Sequence, residues 1–163
     1  MTVQRSDRLI YLGETVSLWS QPLDVYFKLA RIVPRFAIHR TDNWRGYIAT
    51  WEIIGERLYL KYINAETEDG TKVTLATFFP TSLERVFADW FSGSLYVPRG
   101  DVLESGHFIM YGAVYERELV IKIKKGRVTK TLERRSPDAI FRGRPGMRSV
   151  LQYITRGLVN LLR

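Results

Sequence analysis

The run from Arg45 to Asn64 constrains the fold more than any other stretch of the chain. Tyr47, Ala49, Trp51 and Ile53 alternate along Arg45–Ile54, Gly55-Glu56 follows, and Leu58, Leu60 and Tyr62 alternate along Arg57–Asn64. Successive side chains of a strand point to opposite faces, so period-two patterning around a two-residue glycine turn specifies an antiparallel hairpin. Trp51 falls on the buried face of that pattern, whereas Tyr59 points away from the Leu58/Leu60 side.

The same grammar recurs elsewhere. Leu9–Leu12, Gly13-Glu14 and Thr15–Trp19 read as a first hairpin, its Gly-X loop matching a type II′ connection. After the acidic turn Glu66–Gly70, Thr71–Phe79 reads as a third strand, which makes a three-stranded meander with the central hairpin. Ser94–Val97 reads as a strand terminated by Pro98 and Gly100, and His107–Tyr111 and Tyr115–Lys124 as later strands. Lys125-Gly126 then turns the chain into Arg127–Arg135.

Three helices are expected. Pro22 opens an apolar stretch from Leu23 to Ala30, where proline is tolerated at the first helical position. Thr81 and Glu84 have capping-box spacing and predict a short helix broken by Ser92-Gly93. Met147–Arg163 carries Val150, Leu151, Ile154, Leu158 and Leu161 as one apolar stripe that needs a core, a second copy or a partner to cover it. The expectation is an α+β fold, mainly antiparallel β. It takes the form of a bent sheet or partly closed barrel with short helices and a C-terminal amphipathic helix. Residues 1–163 form a single domain: a β-rich core over 7–135, a basic linker over 136–146 and a helix over 147–163.

Composition narrows the function classes. With 163 residues, 45% of them hydrophobic, the chain can bury a real core. It contains no cysteine, which excludes disulfides, thiolate chemistry and cysteine zinc sites and fits a reducing cytoplasm. The first residues lack the pattern of a secretory signal, and no long apolar run predicts a transmembrane segment. His39 and His107 are the two histidines, in no metal-ligating spacing, so neither a metal nor a cofactor is expected.

Charge is sharply segregated. Residues 1–116 hold 12 Lys/Arg against 14 Asp/Glu, whereas residues 117–163 hold 13 against 3, so the last 47 residues carry all of the net +8. A basic block after a neutral domain is the electrostatic footprint of a polyanion partner: nucleic acid, nucleotide or acidic protein. Lys122 and Lys124 share one strand face opposite Leu119, Ile121 and Ile123, and Arg127, Lys130, Arg134 and Arg135 extend it through the next hairpin. Arg142, Arg144 and Arg148 surround the expected start of the C-terminal helix, where anions are favoured. A solvated strand face is charged for ordinary reasons too, since lysine there discourages edge aggregation.

Two further segments carry a resemblance. Asn43-Trp44-Arg45-Gly46-Tyr47-Ile48-Ala49-Thr50-Trp51-Glu52-Ile53, followed by Leu58-Tyr59-Leu60, is the first. The second is Phe87-Ala88-Asp89-Trp90-Phe91-Ser92-Gly93, with His107, Tyr111-Gly112 and Tyr115-Glu116 further on. Together they resemble a group of small uncharacterised bacterial proteins with a W-R-G-Y-x-A-x-W-E-I strand and a later Y-G-x-x-Y-E strand. The resemblance covers roughly Gly13 to Lys124 and implies one compact β-rich domain. It also implies a shared pocket of Trp44, Arg45, Trp90, His107, Tyr111, Tyr115 and Glu116.

Three readings of function follow. The first is a non-enzymatic binding protein holding a phosphate-bearing ligand or acidic partner on its basic C-terminal surface. The second is an interaction module, such as an inhibitor, adaptor or homo-oligomer subunit, built on the terminal stripe. The third is an enzyme acting on a nucleotide or phosphate ester with His107 and Glu116 as acid and base, and no nucleophile motif supports it.

Overall fold

The computed structural model describes residues 2–82, 84–106 and 111–136. His107, the later part of the basic linker and the C-terminal helix, with Arg142, Arg144, Arg148 and the Val150/Leu151/Ile154/Leu158/Leu161 stripe, therefore lie outside the described residues.

The strands are β1 (Asp7–Tyr11), β2 (Glu14–Leu18), β3 (Tyr47–Ile54), β4 (Arg57–Ala65), β5 (Val86–Phe87), β6 (Gly93–Ser105), β7 (Ala113–Lys124) and β8 (Arg127–Arg135). Two helices interrupt them, α1 (Pro22–Leu29) and α2 (Leu75–Phe78). The strands form one sheet in the order β2-β1-β3-β4-β8-β7-β6, with β5 paired to β4. Every pairing is antiparallel except β1 with β3. This is the expected β-rich α+β fold, and the sheet bends until its two edges meet without closing. Trp19 N donates to Tyr96 O at 2.8 Å, Ser20 Oγ donates to Ser94 O at 3.1 Å, and Tyr96 N donates to Ser20 Oγ at 3.0 Å. The enclosed core includes Leu9, Leu18, Trp51, Leu60, Leu95 and Ile121, and α1 adds Leu23 and Phe27.

Local patterning set the hairpins, and their turns are all of one kind. The loop residues are Leu12-Gly13, Gly55-Glu56 and Lys125-Gly126, and all six have positive φ. That is the type I′ geometry, whose twist matches the flanking strands. The first loop therefore corrects the expected Gly13-Glu14 type II′ turn, because Glu14 is already paired with Tyr11.

The period of the central hairpin breaks once. The β3–β4 register shifts between Thr50 and Trp51, so that Thr50 faces Tyr62 while Trp51 faces Leu60. Lys61 is the extra residue of a bulge, which inverts the facing beyond it. Ile63 is consequently buried and Tyr62 is 56% exposed, the reverse of strict alternation.

Three other expectations are corrected by tertiary contacts. Thr71–Phe79 is not a strand: after a single Glu66–Lys72 bridge it winds into α2, with Thr74 and Thr77 capping each other. The helix places Phe78 against Phe27 and leads Phe79 into a stack on Trp90. Thr81–Glu84 opens no helix among the described residues; the chain instead forms β5, whose Val86 and Phe87 pair with Leu60 and Tyr59. Pro98 and Gly100 do not end β6, which runs on to Ser105. As an edge strand β6 tolerates a residue without an N–H, and the register shift after Arg99 absorbs Gly100.

Gly126 is the tightest of the three glycines in these hairpin loops. Its φ is +75°, and a Cβ there would lie 2.7 Å from the Ala88 carbonyl oxygen and 2.8 Å from Phe87 Cε2. Gly13 has a similar φ of +79° but open space around it. Gly126→Ala is therefore expected to cost about 2–4 kcal/mol, against about 1 kcal/mol for Gly13→Ala. Urea unfolding midpoints of the two variants measure the difference.

Candidate functional site

Neighbouring strands bring scattered cations to one outer face of the sheet. Cross-strand partners share a face, and Lys122 faces Lys130 while Lys124 faces Arg127 across β7–β8. Arg127 in turn faces Arg57 of β4, a cation from the neutral part of the chain. Strands lie roughly 5 Å apart, so Lys124, Arg127 and Arg57 form a row of three charges spanning about 10 Å. Among the described residues, none of Arg57, Arg85, Lys122, Lys124, Lys125, Arg127 and Lys130 forms an ion pair. Glu56 and Glu84, next to Arg57 and Arg85 in the chain, form no ion pair with them.

Two rings sit among these cations. Tyr59 and Phe87 are cross-strand partners on β4 and β5, with centroids 5.7 Å apart and planes tilted by 53°. The Arg85 guanidinium lies 4.9 Å from the Tyr59 centroid, while Arg57 and Arg127 lie 5.7 and 6.0 Å from that of Phe87. Both rings are half-buried. The result is a sheet surface of alternating positive charge and π-faces, with the backbone beneath held in register by hydrogen bonds. Leu58 N donates to Gly126 O at 2.8 Å, and Ala88 N donates to Leu58 O at 2.9 Å.

Of the basic residues expected to act together, Lys122, Lys124, Arg127 and Lys130 do share this face. Arg134 is engaged differently: its Nε and Nη2 donate to Glu118 Oε1 at 2.9 and 2.8 Å, and Glu118 is only 1% exposed. Removing that arginine would take a cation from a buried carboxylate, so Arg134 has a structural task. Arg135 faces Arg117 on the opposite side of the sheet, and Arg117 is bridged to Glu133 at 2.8 Å. Arg57, Arg85 and Phe87 complete the patch. Nothing in local patterning marks them, because β4 and β5 reach β8 through long-range pairing.

The described residues joined by the resemblance have several different surroundings. Trp44, which is 55% exposed, and Arg45 line a surface hollow of about 340 Å³ with Asp24, Lys28 and Tyr47. Trp90 lies instead in the aromatic cluster of Tyr26 and Phe79, donating its indole N–H to Pro22 O at 3.1 Å. Tyr111 stacks on Trp19 at 5.4 Å, and Tyr115 meets that same indole edge-on at 5.7 Å. Glu116 is beside Arg117 at 3.7 Å, so its carboxylate already has a cation.

Beneath Arg45 is a buried charge that patterning did not flag. Asp7 is fully buried; its Oδ1 accepts from Arg45 Nη1 at 3.0 Å and Ala49 N at 3.1 Å, and its Oδ2 accepts from Trp51 Nε1 at 3.1 Å. Burial pushes the Asp7 carboxyl above its ordinary range, against the pull of Arg45 and the two N–H donors. Arg45 also lies 4.6 Å from the Tyr47 ring, whose hydroxyl donates to Asp24 Oδ1 at 2.6 Å. Burial, and then the Asp7 charge, hold the Tyr47 hydroxyl well above the ordinary tyrosine value, so it remains a donor. This chain of contacts ties β1, β3 and α1 together.

Among the described residues no cluster of three acids and histidines could hold a metal ion, and no helix is long and apolar enough to cross a membrane. Comparison with known protein families, with curated protein sequences and with solved structures found no match to the chain.

Proposed function

We propose that this protein binds a phosphate-bearing polyanion on the outer face of β4, β5, β7 and β8. The observation that carries the reading is the group of seven cations there, none of them ion-paired among the described residues. Like charges directly opposite on a sheet are destabilising, yet Lys122–Lys130 and Arg57–Arg127 are both such pairs. A bound polyanion supplies the missing countercharge and relieves that repulsion. A cytoplasmic location accords with this ligand class and with the absence of cysteine.

Binding of a labelled oligonucleotide, followed by fluorescence anisotropy from low to physiological salt, tests the reading. Neutralising about five phosphates gives a log–log salt slope of about −3.5 to −4.5, depending on strandedness. Binding that weakens with such a slope supports a phosphate-tracking face. Absence of binding at low salt, both to the oligonucleotide and to inorganic polyphosphate, overturns it.

A further inference from the structure

We infer that the polyanion is single-stranded nucleic acid, with bases stacked against Tyr59 and Phe87 while the surrounding cations hold its phosphates. This inference rests on the function proposed above and narrows it to one class of ligand. Charge alone would serve a duplex, a single strand or polyphosphate equally, so the rings carry the distinction. A duplex keeps the faces of its bases stacked inside, and readout of it proceeds through groove edges and backbone. A single strand leaves those faces free, and aromatic side chains on a basic surface are the recurring means of holding them.

The two rings are placed for that task. They are strand neighbours 5.7 Å apart, on the same side of the sheet as Arg57 and Arg127. Phe87 is also pinned from below: its Cε2 occupies space that any side chain at Gly126 would take. A ring fixed before binding loses little freedom when a base arrives. The guanidiniums now over the rings are solvent-exposed cation–π contacts, which are worth less than a base on an aromatic ring. A base can therefore displace them, and each displaced arginine is then free to pair with the adjoining phosphate.

The test uses the full chain and three probes: labelled oligothymidylate of about 20 nucleotides, a duplex of the same length, and inorganic polyphosphate as competitor. At about 150 mM salt the single strand is expected to bind at least ten-fold more tightly than the duplex. Tyr59→Leu and Phe87→Leu should each weaken single-strand binding about ten-fold while leaving polyphosphate competition and the salt slope unchanged. Tyr59→Trp, which keeps a π-face, should retain binding; it also separates stacking from any loss of fold, which a thermal melt reports directly. Equal or tighter duplex binding, or unaltered single-strand binding by a folded Tyr59→Leu/Phe87→Leu variant, would overturn the inference and leave the polyanion reading standing. Failure of all three probes to bind would overturn both.

Discussion

Asp7→Ala is expected to destabilise the fold by about 3–5 kcal/mol, the range seen when one partner of a buried ion pair is removed. The carboxylate is fully buried and accepts three N–H donors from Arg45, Ala49 and Trp51. Its loss leaves the Arg45 guanidinium without its countercharge, at 17% side-chain exposure. The indole and amide N–H groups lose their acceptor as well, and an orphaned buried donor is costly in its own right. Since whole domains of this size are stable by only about 5–15 kcal/mol, urea denaturation should show a large fall in midpoint. Two comparisons isolate the cause. Asp42→Ala, which removes a half-buried partner of the exposed Arg40, should lower the midpoint far less. Asp7→Leu combined with Arg45→Met should recover part of the loss, because an apolar pair leaves no charge stranded although the Ala49 and Trp51 N–H groups still lack their acceptor. A single Asp7→Ala variant as stable as wild type would mean that the pair does not hold β1 against β3.

The second large effect is on binding. Lys122→Glu together with Arg127→Glu is expected to weaken oligonucleotide binding about 100-fold at physiological salt, and to flatten the salt slope by about two contacts' worth. The positions are chosen so that the fold gains. Each reversed group faces cations that remain, Lys130 in one case and Lys124 and Arg57 in the other. Repulsion across the strands becomes attraction, worth roughly 0.2–1 kcal/mol per pair. The thermal melt should therefore stay or rise while binding falls. Arg134→Glu would be a poor probe by the same logic, because it would set a second carboxylate against the buried Glu118 and confound binding with stability. A doubly reversed variant that binds as wild type does would remove this face from consideration.

Much of the fold was legible from residue order because hairpins are local. Alternation together with Gly13, Gly55 and Gly126 located three of them, and Pro22 marked the start of α1. The errors fall where a distant segment overrode a local signal. The capping-box spacing of Thr81 and Glu84 gave way to pairing of Val86 and Phe87 with β4. The strand-like run Thr71–Phe79 became α2 because Phe78 and Phe79 found ring partners on α1 and at Trp90. Tyr62 and Ile63 exchanged faces through one bulged residue, Lys61, that no periodicity announces.

The candidate site divides in the same way. Lys122, Lys124 and Arg127 belong to one hairpin, so a strand's period of two and a two-residue turn were enough to put them on a common face, whereas Lys130 joins them only through the bulge at Thr129. The sequence by itself determined the hairpins, two of their three turns and the excess of positive charge after residue 116. The tertiary structure alone decided that Arg57, Arg85, Tyr59 and Phe87 join that charge, and that Arg134 is withdrawn from it to neutralise Glu118. The physical reason is range. Turn chemistry and side-chain alternation act between neighbours in the chain, whereas the meeting of β4, β5 and β8 depends on how a bent sheet buries its core.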